Sequence, residues 1–282
     1  MRLRSAVPPL VLRAARRPLK RAVNDLGAYR KSLTGKHALE IGGPTIYFDD
    51  HGFLPIYQEL ATVDNCQFSE RTVWTGAVAD QFFYHPRRAP GQQFICDGTS
   101  LTPIKTGSYD CFLASHCLEH IANPLRALAE WRRILSADGL GLVLLPHKEV
   151  TFDWRRPLTP VAHMVADKER SVGEDDSTHF QEILSLHDLS KTPEYSDFEA
   201  FRARCLANYT QRAMHQHVFV TQSAVELMDC AGFQVLQVDA IRPSHIAILM
   251  RRSDAPQNGA LLAATAGWRE RSPFKADRLE TD

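Results

Sequence analysis

Short apolar runs alternate with amphipathic stretches along most of the chain, and charged residues, glycine or proline bound each run. Such alternation is typical of an α/β protein with a mostly parallel sheet. We therefore predict a sheet of seven strands, at residues 37–41, 60–63, 93–96, 109–114, 140–145, 234–241 and 245–250.

Two helices are indicated by the residues that flank them. Asn123 and Pro124 suit a helix start, since asparagine caps well and proline is tolerated at the first helical position. An apolar stripe follows, and Asp138-Gly139 predicts its end. The second predicted helix covers residues 223–231 and ends before Gly232.

The segments after the fifth strand depart from simple alternation. The last two predicted strands are joined by only three residues, so they must be antiparallel, because a parallel crossover needs about a dozen residues. Residues 147–218 lack regular patterning and are rich in His, Asp, Glu and Pro, which predicts an insertion over the carboxyl edge of the sheet. The predicted organisation is a basic helical extension (1–34), a main domain (35–252) and a polar, frayed tail (253–282).

Charge is unevenly distributed although the formal net charge is zero. Residues 1–21 hold seven bases and no acid, so the rest of the chain is net acidic. A solvated helical extension is the simplest interpretation, and contact with an anionic membrane surface is the alternative. The acidic body makes a nucleic-acid partner unexpected.

The remaining composition favours a cytoplasmic protein, with peripheral contact at the inner membrane surface as a variant of that prediction. No apolar run approaches the roughly 18 residues needed to span a bilayer. Six scattered cysteines form no CxxC pair, which argues against a zinc ribbon or a disulfide framework.

Three consecutive predicted strands end in an acidic residue: Glu40, Asp64 and Asp97. Ligands of open α/β sheets lie outside the carboxyl ends of the strands, where the second acid can accept ribose hydroxyls. The third acid can accept from an adenine amino group, and Glu40 can reach an amino-acid moiety through water. Gly42 and Gly43 would let the backbone approach such a ligand. Helix capping is the alternative explanation for each acid.

These residues belong to a longer pattern that resembles class I S-adenosylmethionine (SAM)-dependent methyltransferases, in the type 11 branch that includes quinone methyltransferases. The matching segments are residues 39–43, 63–64, 96–98, 109–121, 124–135 and 139–145. A nicotinamide enzyme fits less well, because no G-x-G-x-x-G follows any predicted strand.

The resemblance implies a Rossmann-like, mostly parallel seven-stranded sheet with a C-terminal antiparallel hairpin and an insertion after strand five. It also implies SAM as cofactor, bound by Glu40, Gly42, Gly43, Asp64, Asp97, Gly98 and Ser115. The chain departs from the family's glycine loop, since Pro44 and Ile46 stand where later glycines are common.

Histidines at the same edge are candidates for a catalytic base near neutral pH. His116 follows the fourth strand and His147 follows the fifth, whereas His120 is interpreted as a structural partner. Within the insertion, Arg155, Arg156, His163 and His179 are predicted as candidates for substrate contact. We predict no metal site: His179, Glu182 and His187 could bind an ion, but helix capping explains the nearby acids at 174–176.

The predicted function is methyl transfer to a small-molecule or glycan-linked acceptor, with oxygen favoured by the histidine-rich edge. Two alternatives remain open, a catalytically silent protein of the same fold that acts as a scaffold and an aromatic-ring C-methyltransferase. The sequence does not indicate an oligomeric state.

Overall fold

A computed structural model describes residues 23–192 and 197–278 of the chain. Its main sheet has eight strands in the order β5-β6-β2-β1-β7-β8-β10-β9, and β3 and β4 form a separate hairpin. The strands are β1 (His37–Ile41), β2 (Thr62–Gln67), β3 (Arg71–Thr72), β4 (Gly76–Ala77), β5 (Gln81–Phe82), β6 (Gly91–Ile95), β7 (Tyr109–Ser115), β8 (Leu135–Pro146), β9 (Phe233–Ile241) and β10 (His245–Arg252).

The α/β class, the mostly parallel sheet and the closing antiparallel hairpin are confirmed. Strands β6, β2, β1, β7 and β8 run parallel, and β10 is antiparallel to both β8 and β9. All seven predicted strands are present. The eighth, β5, is a two-residue strand that pairs antiparallel with β6 at one edge, and it is too short to show a periodic pattern.

Nine α-helices occur among the described residues. They are α1 (Leu26–Leu33), α2 (Pro124–Ile134), α3 (Val161–Glu169), α4 (Phe180–Leu186), α5 (Phe198–Leu206), α6 (Asn208–Gln211), α7 (Thr221–Cys230), α8 (Gly259–Leu262) and α9 (Gly267–Arg271).

The start of α2 follows the sequence prediction and its end does not. The Asn123 side chain accepts a hydrogen bond from the Arg126 amide at 3.0 Å, which caps the helix. The helix ends at Ile134 because Leu135 is already extended and pairs with Tyr109 of β7. Asp138-Gly139 therefore lies within β8 rather than at a helix end.

Apolar side chains cover both faces of the sheet. One cluster packs α2 and α7 against it around buried Trp131 and Phe233, and the other packs α1 and the 48–60 loop around Phe48 and Tyr57. Helices on both faces leave the carboxyl edge of the parallel strands as the open side of the sheet.

Both ends of the described chain pack more closely than predicted. In α1 the buried Tyr29 hydroxyl donates to the Asp239 carboxylate at 2.8 Å, so residues 26–33 belong to the main fold. The 253–278 segment holds α8 and α9 and buries Trp268 and Phe274, so the prediction of a frayed tail is wrong there. The aromatic residues in an otherwise polar stretch anchor it.

Residues 1–22 lie outside the described part of the chain, so the membrane contact predicted for residues 1–21 stays a prediction. No described helix is long and apolar enough to cross a membrane. The insertion after β8 forms α3 to α6 and, in its described residues, lies over the carboxyl edge of the sheet.

Candidate active site

A cavity of about 790 Å³ opens at the carboxyl edge of the parallel strands, beneath the insertion. The strands contribute residues at or just past their ends: Ile41, Gly42, Cys66, Gln67, Asp97, Gly98, Ser115, His116 and Pro146. The insertion contributes the opposite wall, which includes Phe152, Asp153, Arg156, His187, Arg212 and His215. Because β10 runs antiparallel to β8, its first residue, His245, lies at the same edge.

The turn after β1 forms one side of the cavity. Gly42 lines it with a φ of +81°, a conformation that L side chains rarely adopt. The Gly43 amide donates to the Asn65 side chain at 3.1 Å, and its carbonyl accepts from the Gln67 side chain at 2.9 Å. A Cβ on Gly43 would lie only 2.2 Å from Cδ of Glu40. The turn therefore lies directly against the Glu40 carboxyl group.

Glu40 supports this turn from below and does not line the cavity. Its carboxyl oxygens accept from the Tyr57 hydroxyl at 3.0 and 2.9 Å, and that hydroxyl accepts from the Thr45 amide at 2.8 Å. Burial raises the pKa of Glu40 to about 8, although the Tyr57 hydrogen bond acts in the opposite direction. Glu40 therefore supports the glycine turn, whereas the sequence predicted that it contacts the cofactor.

The substitution Glu40→Gln is expected to flatten the pH dependence of stability. The folded pKa of about 8 exceeds the ordinary 4.5, so wild-type stability is fully present below about pH 4.5 and is lost as pH rises through about 8. Glutamine stays neutral, so the variant should not show this loss of stability, which is of the order of a few kcal/mol in the wild type. Urea unfolding of both proteins between about pH 5 and 8 measures how the free energy of unfolding depends on pH. The same pH dependence in both proteins would mean that Glu40 is ionised in the folded state.

The assignment of Asp64 to the cofactor site is wrong in this structure. Strand β2 continues to Gln67, so Asp64 pairs opposite Leu39 in the middle of the sheet. Its carboxylate accepts from the Tyr109 hydroxyl and the Gln92 amide, both at 2.7 Å. The sequence pattern misplaced the strand end because polar residues 64–67 continue the strand, and Gln67 lines the cavity instead.

Asp97, Gly98 and Ser115 all line the cavity. One Asp97 oxygen accepts from the amide and hydroxyl of Thr99, and the other lies 3.1 Å from the Arg212 guanidinium. Burial alone would raise the pKa of Asp97, but these partners outweigh it and lower the pKa. An ionised carboxylate therefore faces the cavity at the end of β6. The Ser115 hydroxyl donates to the Thr45 hydroxyl at 3.1 Å, which joins β7 to the glycine turn.

His116 lies between a carboxylate and a second imidazole. Its Nδ1 is 3.4 Å from Oε1 of Glu119, and its Nε2 is 2.8 Å from Nδ1 of His245. Burial would raise the pKa of Glu119, but the His116 hydrogen bond and nearby imidazoles lower it. Burial and His116 lower the pKa of His245 to about 3, so His245 is neutral. The positive φ of His116, 49°, is uncommon for a residue other than glycine.

His147 does not line the cavity, which removes the geometric basis for its predicted catalytic role. Its side chain is fully buried, stacks on Phe274 with ring centroids 3.9 Å apart, and lies 3.2 Å from the Asp277 carboxylate. Asp277 also accepts from the Thr221 amide. These contacts tie the end of β8 to the C-terminal segment.

Three of the four residues predicted as candidates for substrate contact lie outside the cavity lining. Arg155 is half exposed, lies over the Trp154 ring and is 3.9 Å from Asp188. His163 and His179 come together on the far side of the insertion, with their Nε2 atoms 3.0 Å apart. The fourth candidate, Arg156, is buried and lines the cavity.

Several residues of the cavity were not assigned to a site from the sequence. Arg212 bridges Asp97 and Glu174 at 3.1 and 3.0 Å, and Asp153 holds Nδ1 of His215 at 2.5 Å. Among these residues, only His245 could have been placed at the cavity from the sequence. An antiparallel last strand must begin at the edge where its neighbour ends, and His245 is its first residue. The others come from the insertion, whose path no periodicity indicates.

Comparison with known proteins agrees with this geometry. Residues 66–143, from the end of β2 into β8, match the type 11 family model that is described as a methyltransferase domain. No curated protein sequence matches the chain.

Solved structures with similarity to the chain include three proteins. A SAM-dependent methyltransferase from Aquifex aeolicus is 10% identical, with 82% of this chain and 90% of that chain covered and a TM-score of 0.41. The 1,6-didemethyltoxoflavin-N1-methyltransferase of Burkholderia thailandensis, with S-adenosylhomocysteine bound, is 13% identical, with coverages of 81% and 75% and a TM-score of 0.44. A SAM-dependent methyltransferase from Mesorhizobium loti is 14% identical, with coverages of 80% and 95% and a TM-score of 0.45.

The family match begins at the end of β2 and includes Gln67, Asp97 and Ser115, which line one cavity with Gly42 of the turn after β1. That arrangement places a ligand where open α/β sheets bind nucleotide-like cofactors. Residues 66–143 of this chain thus match a methyltransferase domain of the type 11 family.

Proposed function

We propose that this enzyme methylates an oxygen of a small-molecule or glycan-linked acceptor that binds between the cofactor and the insertion. The observation that carries the proposal is the position of His116, which lines the cavity between Glu119 and His245. A hydroxyl acceptor must lose a proton when it is methylated, and an imidazole paired with a carboxylate is suited to take it.

We assign cofactor binding to the part of the cavity that is formed by the strand ends. SAM, when bound, supplies an electrophilic methyl group on a sulfonium, so the protein needs chiefly to align the acceptor. Gly42 lets the main chain approach the ligand, and Asp97 offers an ionised carboxylate. Asp97 is paired with Arg212 at 3.1 Å, so a cofactor group that takes this carboxylate would compete with the arginine.

The proton step is assigned to the His116–Glu119 pair. The Glu119 carboxylate, kept ionised by nearby imidazoles, lies 3.4 Å from Nδ1 of His116 and favours the hydrogen on that nitrogen, which leaves Nε2 as the basic nitrogen. Nε2 now contacts Nδ1 of His245 at 2.8 Å, so the acceptor hydroxyl would take the place of that contact. The proton then resides on Nε2 of His116, and Glu119 stabilises the resulting imidazolium.

Labelled SAM tests the acceptor assignment. The full chain is incubated with methyl-labelled SAM and fractionated cell extract, and mass spectrometry locates the label in each product. A methyl ether or ester supports the proposal. A label bound only to carbon or nitrogen would contradict oxygen transfer while leaving the methyltransferase assignment intact.

The substitution Asp97→Asn is expected to weaken binding of S-adenosylhomocysteine by about 10- to 100-fold. A hydrogen bond to a charged group contributes roughly 1.5–3 kcal/mol, and the amide offers no charge. The matched control is Asp64→Asn, which alters an acid of the neighbouring strand β2 outside the cavity. Calorimetry well below both melting temperatures should find affinity unchanged in the control; equal losses in both variants would contradict the placement of the cofactor at Asp97.

A further inference from the structure

We propose that His163, His179 and His217 form a structural site for a divalent transition metal of the zinc class, with Asp167 beside His163. The ligand atoms of the three histidines all lie within 4.8 Å of one another. The site lies in the insertion and is separate from the cavity, whose lining includes none of these four residues.

The spacing of the ligand atoms fits a tetrahedral ion. Nε2 of His163 is 3.0 Å from Nε2 of His179 and 3.3 Å from Oδ2 of Asp167. Zinc binds imidazole nitrogen at about 2.0–2.1 Å, so neighbouring ligands of a tetrahedral site are about 3.3 Å apart. Both measured separations are close to that value.

His217 supplies the strongest indication of a missing partner. The residue is only 1% exposed, and its Nδ1 has no hydrogen-bond partner. Its Nε2 lies 3.2 Å from the Ala122 carbonyl, which only accepts, so Nε2 carries the hydrogen and Nδ1 presents a lone pair. Metal-bound histidines commonly donate their other ring nitrogen to a carbonyl in this way.

Asp167 provides a second buried atom without a partner. Its Oδ1 accepts from Arg170 at 2.8 Å, whereas Oδ2 makes no hydrogen bond. A bond between the two imidazoles of His163 and His179 would explain their 3.0 Å contact, but it would leave both Oδ2 and Nδ1 of His217 unpaired. Burial of such atoms without a partner is costly, and an ion bound by the three histidines would give Nδ1 of His217 its partner.

The proposed ion would connect three separate parts of the insertion. His163 and Asp167 belong to α3, His179 directly precedes α4, and His217 lies in the segment before α7. The amides of Gln216 and His217 bond to the Glu119 carbonyl at 2.7 and 3.3 Å, beside the cavity. Because these residues do not line the cavity, the role of the ion is to hold the insertion against the sheet rather than to act in catalysis.

This ligand set differs from the one considered from the sequence. Glu182 pairs with Arg156 at 2.7 Å, and His187 lies 3.0 Å from the Thr192 hydroxyl. Only His179 is common to both sets.

Metal binding by the full chain tests the proposal. Protein stripped with a chelator and titrated with cobalt(II) should bind about one equivalent with the absorption of a tetrahedral site, and zinc should raise the melting temperature. His163→Ala, in a side chain 32% exposed, and His179→Ala should each lower the affinity at least about tenfold and abolish the melting shift. The control His51→Ala, in an exposed residue, should bind like the wild type.

The outcomes separate this site from others. Unaltered binding in His163→Ala would overturn the proposal and would point instead to Glu119, His120 and His215, which also converge. Absence of wild-type binding would overturn it too, in favour of a hydrogen-bonded histidine cluster. His217→Ala is a secondary variant, because its burial makes misfolding a competing effect.

Discussion

The substitution Gly43→Ala is expected to lower the affinity for S-adenosylhomocysteine by about 10- to 100-fold. The new Cβ would lie 2.2 Å from Cδ and 2.4 Å from Oε2 of Glu40, which is buried and held by Tyr57. Either the Glu40 side chain or the turn must shift, and a shifted turn would change the backbone surface that we propose for the cofactor. Overpacking should also cost about 1–3 kcal/mol of stability.

Calorimetry and thermal unfolding of the same samples separate these two effects. Gly259→Ala is the matched control, because a Cβ there meets nothing within 4 Å and the residue starts a surface helix. We expect its affinity and melting temperature to equal those of the wild type. Wild-type affinity in Gly43→Ala would show that the turn after β1 does not contact the cofactor.

The substitution His116→Ala is expected to lower kcat for an oxygen acceptor by about 10²- to 10⁴-fold, the usual contribution of a general base. The proton of the acceptor would then have no basic group between Glu119 and His245. Affinity for S-adenosylhomocysteine should stay within about threefold, since alignment of the cofactor is assigned to other residues.

His147→Gln is the matched control for the catalytic assignment. It replaces the other histidine considered as a base while keeping a donor for Asp277. Its kcat should equal that of the wild type, with a lower melting temperature from the lost stacking on Phe274. A large loss of kcat in His147→Gln and none in His116→Ala would reverse the assignment.

Residues at the carboxyl edge of the sheet show which parts of the site can be predicted from the sequence pattern. Asp97 and Ser115 line the cavity. Their positions could be predicted because each follows an apolar run that is recognisable in the sequence. Asp64 was misplaced because β2 continues through polar residues, for which alternation gives no signal. Glu40 was placed correctly along the chain, but only packing revealed that Gly43 and Tyr57 enclose it.

The insertion was beyond sequence reasoning for a different reason. Its histidines are spread over some 55 residues without a period, so nothing local says which of them meet. His163 and His179 do meet, but with His217 and away from the cavity, whereas Arg156 rather than Arg155 turns inward.

The sequence by itself determined the α/β class, the direction of the strands and the edge at which the cofactor site lies. Those features follow from local hydrophobic periodicity and short connections, which are properties of neighbouring residues. Only the tertiary structure decided which side chains share the cavity, that Glu40 is kept neutral near pH 7, and that three histidines of the insertion converge. These depend on burial and on contacts between residues far apart in the chain, and no local pattern encodes such contacts.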